Sequence, residues 1–163
     1  MSYDSITECT NLVNETFIRL GYLDLVGSVR VEFNSRFTSR MGDATPSKKR
    51  IRLSAPLWAK ATDEQKHDTI VHEACHIAQY LKYPVDKKIN PPHGYIWKSL
   101  MVRAGVDPSR CHNVDTSELK RKRARHPARC KCQTHMISSI RYNRMKNGKL
   151  YKCTKCNEPL DLQ

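Results

Sequence analysis

Nowhere in its 163 residues does the chain hold a run of about 18 apolar residues, which excludes a transmembrane helix. Its first residues, Met1-Ser2-Tyr3-Asp4-Ser5, have neither the basic region nor the apolar region of an export leader, so an intracellular protein is expected. No internal repeat is present. Cysteine does not pair off: there are seven, and four of them fall between 130 and 156, which favours metal binding over a disulfide framework. Acidic residues are nearly missing from 119–163, where Glu158 and Asp161 face 13 Lys and Arg, while 1–118 holds 14 acids against 16 bases. Almost all of the formal charge of +13 therefore sits in the tail. A near-neutral body with an intensely basic tail points to a polyanionic partner, most simply nucleic acid, because each neutralised phosphate releases counterions. Two domains follow from this split, a body over 1–118 and a basic linker with a Cys-rich module over 119–163.

The body alternates helix and strand signals. Ser5 and Glu8 form a capping box, Ile6, Val13, Phe17 and Leu20 recur at helical spacing, and Gly21 stands at the stop, predicting a helix over 5–20. Val29, Val31 and Phe33 alternate as in a strand. A second strand is expected over 36–41, ending at a Gly42-Asp43 turn, and a third over 50–54 with Ile51 and Leu53 inward. Thr62 and Gln65 box the start of a long helix over 63–82, whose Ile70, Val71, Ala74, Ile77, Ala78 and Leu81 fall within a sector of roughly 120°. A last body helix is expected to start at Asn90-Pro91-Pro92-His93-Gly94, with proline in its first turn, and to bury Ile96, Trp97, Leu100 and Met101.

On the long helix, His72-Glu73-Ala74-Cys75-His76 is an HExxH sequence. His72 and His76, four apart, lie one above the other opposite the apolar stripe, where two aligned imidazoles suit a zinc ion. Glu73 is placed to take a proton from an attacking water and pass it to a leaving amine. A third ligand is needed. A histidine six residues after His76 would fall on Lys82, and the glycine that would accompany it falls on Gln79, so that arrangement is absent. The only later glutamates are Glu118 and Glu158. His93, at the start of the next helix, is the better candidate. Cys75 reads as a small buried hydrophobe, and Tyr80 and Tyr95 as possible borders of a cleft.

The tail reads Cys130-x-Cys132, then Cys153-x-x-Cys156, with Asn147-Gly148 between them as a turn signal joining 136–142 to 149–152. Two cysteine pairs brought together by a hairpin describe a zinc ribbon with Cys130, Cys132, Cys153 and Cys156 as ligands. The first pair is one residue short of the usual spacing, so His135 is an alternate ligand. Arg121, Lys122, Arg123 and Arg125 in the linker, and Arg141, Arg144, Lys146, Lys149 and Lys152 on the hairpin, are the candidate nucleic-acid contacts.

The HEACH sequence at 72–76, Pro92-His93-Gly94-Tyr95-Ile96-Trp97, the segment Val31–Arg36, the strand Ile51–Ser54 and the basic tail together resemble the SprT family, which includes the protease domain of Spartan. The resemblance implies an α+β fold: a zincin-like metalloprotease domain with a small mixed sheet and an HExxH helix, followed by a zinc-ribbon hairpin. It implies His72, His76 and His93 on a catalytic zinc, Glu73 as base, and a second, structural zinc. It further implies a DNA-dependent endopeptidase that cleaves proteins bound or crosslinked to DNA, with single-stranded character in that DNA. Such a protein is expected in the cytoplasm at the nucleoid, or in the host cytoplasm if a phage encodes it, with no membrane association. Two other readings stay open. One is a nucleic-acid-binding protein on a zincin scaffold without turnover, the other a DNA-independent metallopeptidase. A strand beside the cleft, near 50–54, is expected to take substrate by backbone pairing.

Overall fold

The computed structural model describes residues 3–84, 86, 88–108, 114, 116 and 124–163. It divides into two compact units, Met1–Lys120 and Arg121–Gln163.

In the first unit, α1 (Ile6–Leu20) opens with the expected capping box: the Ser5 hydroxyl accepts from the Glu8 N–H and the Glu8 carboxylate accepts from the Ser5 N–H. Gly21, at φ +79°, closes it in the left-handed conformation that glycine adopts without steric penalty. Three strands follow, β1 (Arg30–Asn34), β2 (Gly42–Thr45) and β3 (Arg50–Ser54), in the order β1-β3-β2. β1 runs parallel to β3, with Val31 beside Ile51, and β2 runs antiparallel to it, with Asp43 beside Arg52. Arg52 holds Asp43 through two hydrogen bonds at 2.8 and 2.6 Å, fixing the register of the β2 edge. The strand expected over 36–41 lies later, at Gly42–Thr45. Asn34 Oδ1 accepts the Arg36 N–H at 2.8 Å, so the chain turns off the sheet directly after β1.

After the short helix α2 (Ala55–Trp58), α3 (Asp63–Lys82) crosses the unit, started by the Thr62–Gln65 capping box. It packs against α1, β2 and the later helix α4 (Tyr95–Arg103). Gly94 caps α4, so Pro91 and Pro92 precede the helix rather than occupy its first turn. Phe17, Leu20, Ile51, Leu53, Ile70, Ile77, Trp97 and Leu100 form one buried core. Cys75 is fully buried there, and burial pushes its thiol up to about 12, as expected of an inert packing residue.

The second unit holds β4 (Arg125–Arg129), β5 (Thr134–Ser138), α5 (Ser139–Lys146) and β6 (Asp161–Leu162), with the antiparallel order β5-β4-β6. Two expectations are corrected here. Residues 125–129, read as linker, form the central strand. The hairpin turn is at 130–133, between β4 and β5, and not at Asn147-Gly148. Ser138 Oγ accepts from the Arg141 N–H and starts α5, and Gly148, at φ +84°, follows its end, with the Gly148 and Lys149 N–H groups donating to the carbonyls of Met145 and Arg144. An Asn-Gly pair serves a helix stop as well as a hairpin, because both need a positive φ. Among the described residues, Ala128, Cys130, Ile137, Cys153 and Leu160 form the buried core of this unit.

Ile51→Ala, in the central strand of the first unit, is expected to lower stability by about 2–5 kcal/mol. A denaturant titration should show a lower midpoint with an unchanged slope.

Candidate active site and metal centres

Helix α3 delivers His72 and His76 one turn apart, and the turn at 91–94 delivers His93. His93 has φ +60°, a left-handed conformation that a non-glycine residue adopts only where the surroundings impose it. The next residue must be small: a Cβ on Gly94 would lie 2.8 Å from the Pro91 carbonyl oxygen. The three Nε2 atoms converge, at 3.1 Å between His72 and His93, 3.2 Å between His72 and His76, and 3.0 Å between His76 and His93. A tetrahedral ion with nitrogen ligands at ~2.0–2.1 Å spaces those nitrogens by about 3.3 Å, so the triangle fits zinc. Burial lowers the His72 imidazole to about 4 and the His76 imidazole to about 3, so both are neutral lone-pair donors at physiological pH.

Trp97, one turn into α4, packs its indole against all three rings at 4.7–5.4 Å and donates from Nε1 to the His72 carbonyl at 3.4 Å. The sequence marked Trp97 as buried and as part of the motif behind the family resemblance, without a role at the site. Its spacing of four from His93, across the start of a helix, is the signal for the role.

Glu73 is buried on the side of α3 that meets β2. A Cβ on Gly42 would come within 3.1 Å of the Glu73 Cγ, so that strand position admits glycine alone without displacement of its neighbours. Burial and the nearby Asp43 raise the Glu73 carboxyl to about 8, against a hydrogen bond from the Ala44 N–H and the charge of Arg40. A divalent cation at the histidines acts in the opposite direction and favours the carboxylate. Gly42 was read in the sequence as a turn residue and Ala44 was not picked out, because the strand that carries them was expected earlier in the chain.

These groups line a cavity of about 1010 Å³ with Met41, Asp43 and Gln79 among its walls. Tyr80 borders it, whereas Tyr95 is 86% exposed and does not. The strand expected to take substrate, 50–54, is central, flanked by β1 and β2, and offers no edge. The edge at the cavity is β2.

In the second unit the thiols of Cys130, Cys132, Cys153 and Cys156 lie within 4.8 Å of one another and could hold a metal ion, as could the three histidines of the first. Cys130 Sγ is 3.4 Å from Cys132 Sγ, and Cys132 Sγ is 3.8 Å from Cys153 Sγ. His135 lies beside this group, with Nε2 3.2 Å from Cys130 Sγ. Although burial opposes it, hydrogen bonds from His135 and from the backbone of Cys132 and Gln133 hold Cys130 down to about 5, the thiolate that a metal requires. Cys132 is pushed up to about 12 by its thiol neighbours Cys130 and Cys156.

Of the candidate nucleic-acid contacts, Arg121, Lys122 and Arg123 lie outside the described residues. Arg125 is exposed on β4, and Arg141, Arg144 and Lys146 are exposed on α5, a helix rather than the expected hairpin arm. Lys149 and Lys152 are exposed beyond it. Tyr142 stacks on His126 at 4.2 Å with Lys146 over its ring, and Tyr151 lies under Arg141 and Lys149. Among the described residues no helix is long and apolar enough to cross a membrane.

The model of the SprT-like family matches residues 6–118. Protein SprT of Pasteurella multocida is 30% identical over 161 residues, covering 97% of this chain and 90% of that protein. Protein SprT of an Enterobacter species and of Escherichia coli are 30% and 29% identical over 133 residues, covering 80% of this chain and 76% of each relative. With the helix and the turn that carry the three histidines inside the matched region, the chain belongs to the SprT-like family.

Proposed function

We propose that the chain is a zincin-like zinc endopeptidase whose activity depends on DNA, acting on proteins bound or crosslinked to it. The observation that carries the hydrolytic part is the convergence of three imidazoles beside a buried glutamate in one cavity. His72, His76 and His93 would hold the metal. A zinc ion there supplies Lewis-acid polarisation of a scissile carbonyl and makes a water nucleophilic at neutral pH. Glu73, held by the Ala44 N–H, accepts the proton of the attacking water and returns it to the leaving amine. Trp97 keeps the three rings in place and excludes water from their far side. The β2 edge pairs with the extended substrate backbone, which makes side-chain selectivity loose.

The DNA dependence rests on the concentration of charge in residues 119–163 and on the exposed cations of α5 and its flanks. Four thiols would hold the second, structural zinc, and His135 supports Cys130 from beside the cluster. Restricting cleavage to DNA would spare other proteins of the cytoplasm. Crosslink repair at the nucleoid is the role that the family resemblance suggests.

The deciding experiment follows cleavage of a DNA-binding protein by the zinc-loaded chain, with and without single-stranded DNA. Cleavage is expected only with DNA, and Glu73→Gln is expected to reduce its rate by about 10²–10⁴-fold. Equal cleavage without DNA would leave a plain metallopeptidase. DNA binding with no cleavage under any condition would leave a binding scaffold.

Metal analysis is expected to find two zinc ions per chain. His93→Ala should lose one with the second unit intact, while Cys153→Ser should lose the other and unfold residues 124–163, seen as collapse of their amide NMR dispersion.

DNA affinity should fall steeply between 50 and 200 mM salt, on the order of 10³-fold for six or more neutralised phosphates. A flat salt dependence would remove the charge argument.

A further inference from the structure

His76 and His93 reach the same point in space from elements joined by a loop, and a single amide on the first element bonds the turn that carries the second histidine. Gln79, one turn after His76 on α3, is buried at 5% exposure. Its Nε2 donates to the Asn90 Oδ1 and, at 3.1 Å, to the Pro91 carbonyl. That same carbonyl accepts the Gly94 N–H at 2.9 Å, closing the turn that holds His93 at its left-handed φ.

We propose that Gln79 is a positioning residue of the metal site. Its NH₂ group anchors the turn that presents His93, by donating to the Asn90 side chain and to the Pro91 carbonyl. A glutamine suits the task because its amide nitrogen donates two hydrogen bonds and carries no charge. A carboxylate would face the Asn90 and Pro91 oxygens with nothing to donate, and an aliphatic chain would leave both without this donor. Loss of a residue that holds a metal ligand in place typically lowers metal affinity 10–100-fold. The left-handed His93 makes the need greater, since a strained turn relaxes once its anchor is gone. The inference rests on the reading of the three histidines as a zinc site.

The test measures zinc affinity of the full chain by chelator competition, with the four-cysteine site as an internal control, and follows the histidine ring nitrogens by ¹⁵N NMR. Gln79→Leu is expected to weaken zinc at the histidine site 10–100-fold, leave the cysteine site unchanged, and shift the ring signals of His93 in the metal-free protein while those of His72 are retained. Asn90→Ala, which leaves α3 untouched, should weaken the same site by a smaller factor, and it carries the test if Gln79→Leu does not fold. Wild-type affinity and unchanged His93 signals in folded Gln79→Leu, or wild-type affinity in Asn90→Ala when only that variant folds, would overturn the proposal. Wild-type protein that takes up zinc only at its cysteines would instead overturn the reading of the site itself.

Discussion

Three imidazole nitrogens aimed at one point repel one another unless a cation stands among them, and much of the first unit exists to hold them there. α3 supplies two by its own periodicity, and α4 is pinned against it so that Trp97 underlies all three rings. The turn between the two helices adopts a conformation that His93 would not choose alone. The sheet takes part as well. Its β2 edge, fixed by the Arg52–Asp43 pair, brings Gly42 close enough to α3 to box Glu73 in. The catalytic reading and the fold are thus two descriptions of the same set of contacts.

The parts of the architecture that were legible in the sequence are those governed by local rules. Both capping boxes, the left-handed Gly21, the inward Ile51 and Leu53 and the length of α3 follow from neighbouring residues. His93 followed from elimination and from its place at a helix start. What was missed depends on non-local geometry. The position of β2 is set by pairing with β3 and by an Asn34 side chain that turns the chain early, which no alternation pattern records. That error also displaced the expected substrate edge onto the central strand. In the tail, Asn147-Gly148 fitted a hairpin and a helix stop equally, and the Ser138 cap decided for the helix.

The two units reach stability by different routes. The first has a continuous apolar core reaching from α1 through the sheet to α4, so the histidine site is built on a scaffold that packs without an ion. Among its described residues the second buries five, two of which are cysteines. A core of that size does little to offset the entropy of ordering such a unit, and a metal held by the four thiols would supply the rest. The basic side chains would then be displayed on a surface whose rigidity depends on that ion.

The neutrality of the buried histidines has a consequence for the proton traffic of metal uptake. His72 and His76 have already shed their charge at physiological pH, so filling that site displaces almost no protons from them. The cysteine cluster must release at least the proton of Cys132. A metal taken up by the first unit would thus displace a proton from the Glu73 carboxyl rather than from His72 or His76, and one taken up by the second would displace it from the ligands themselves.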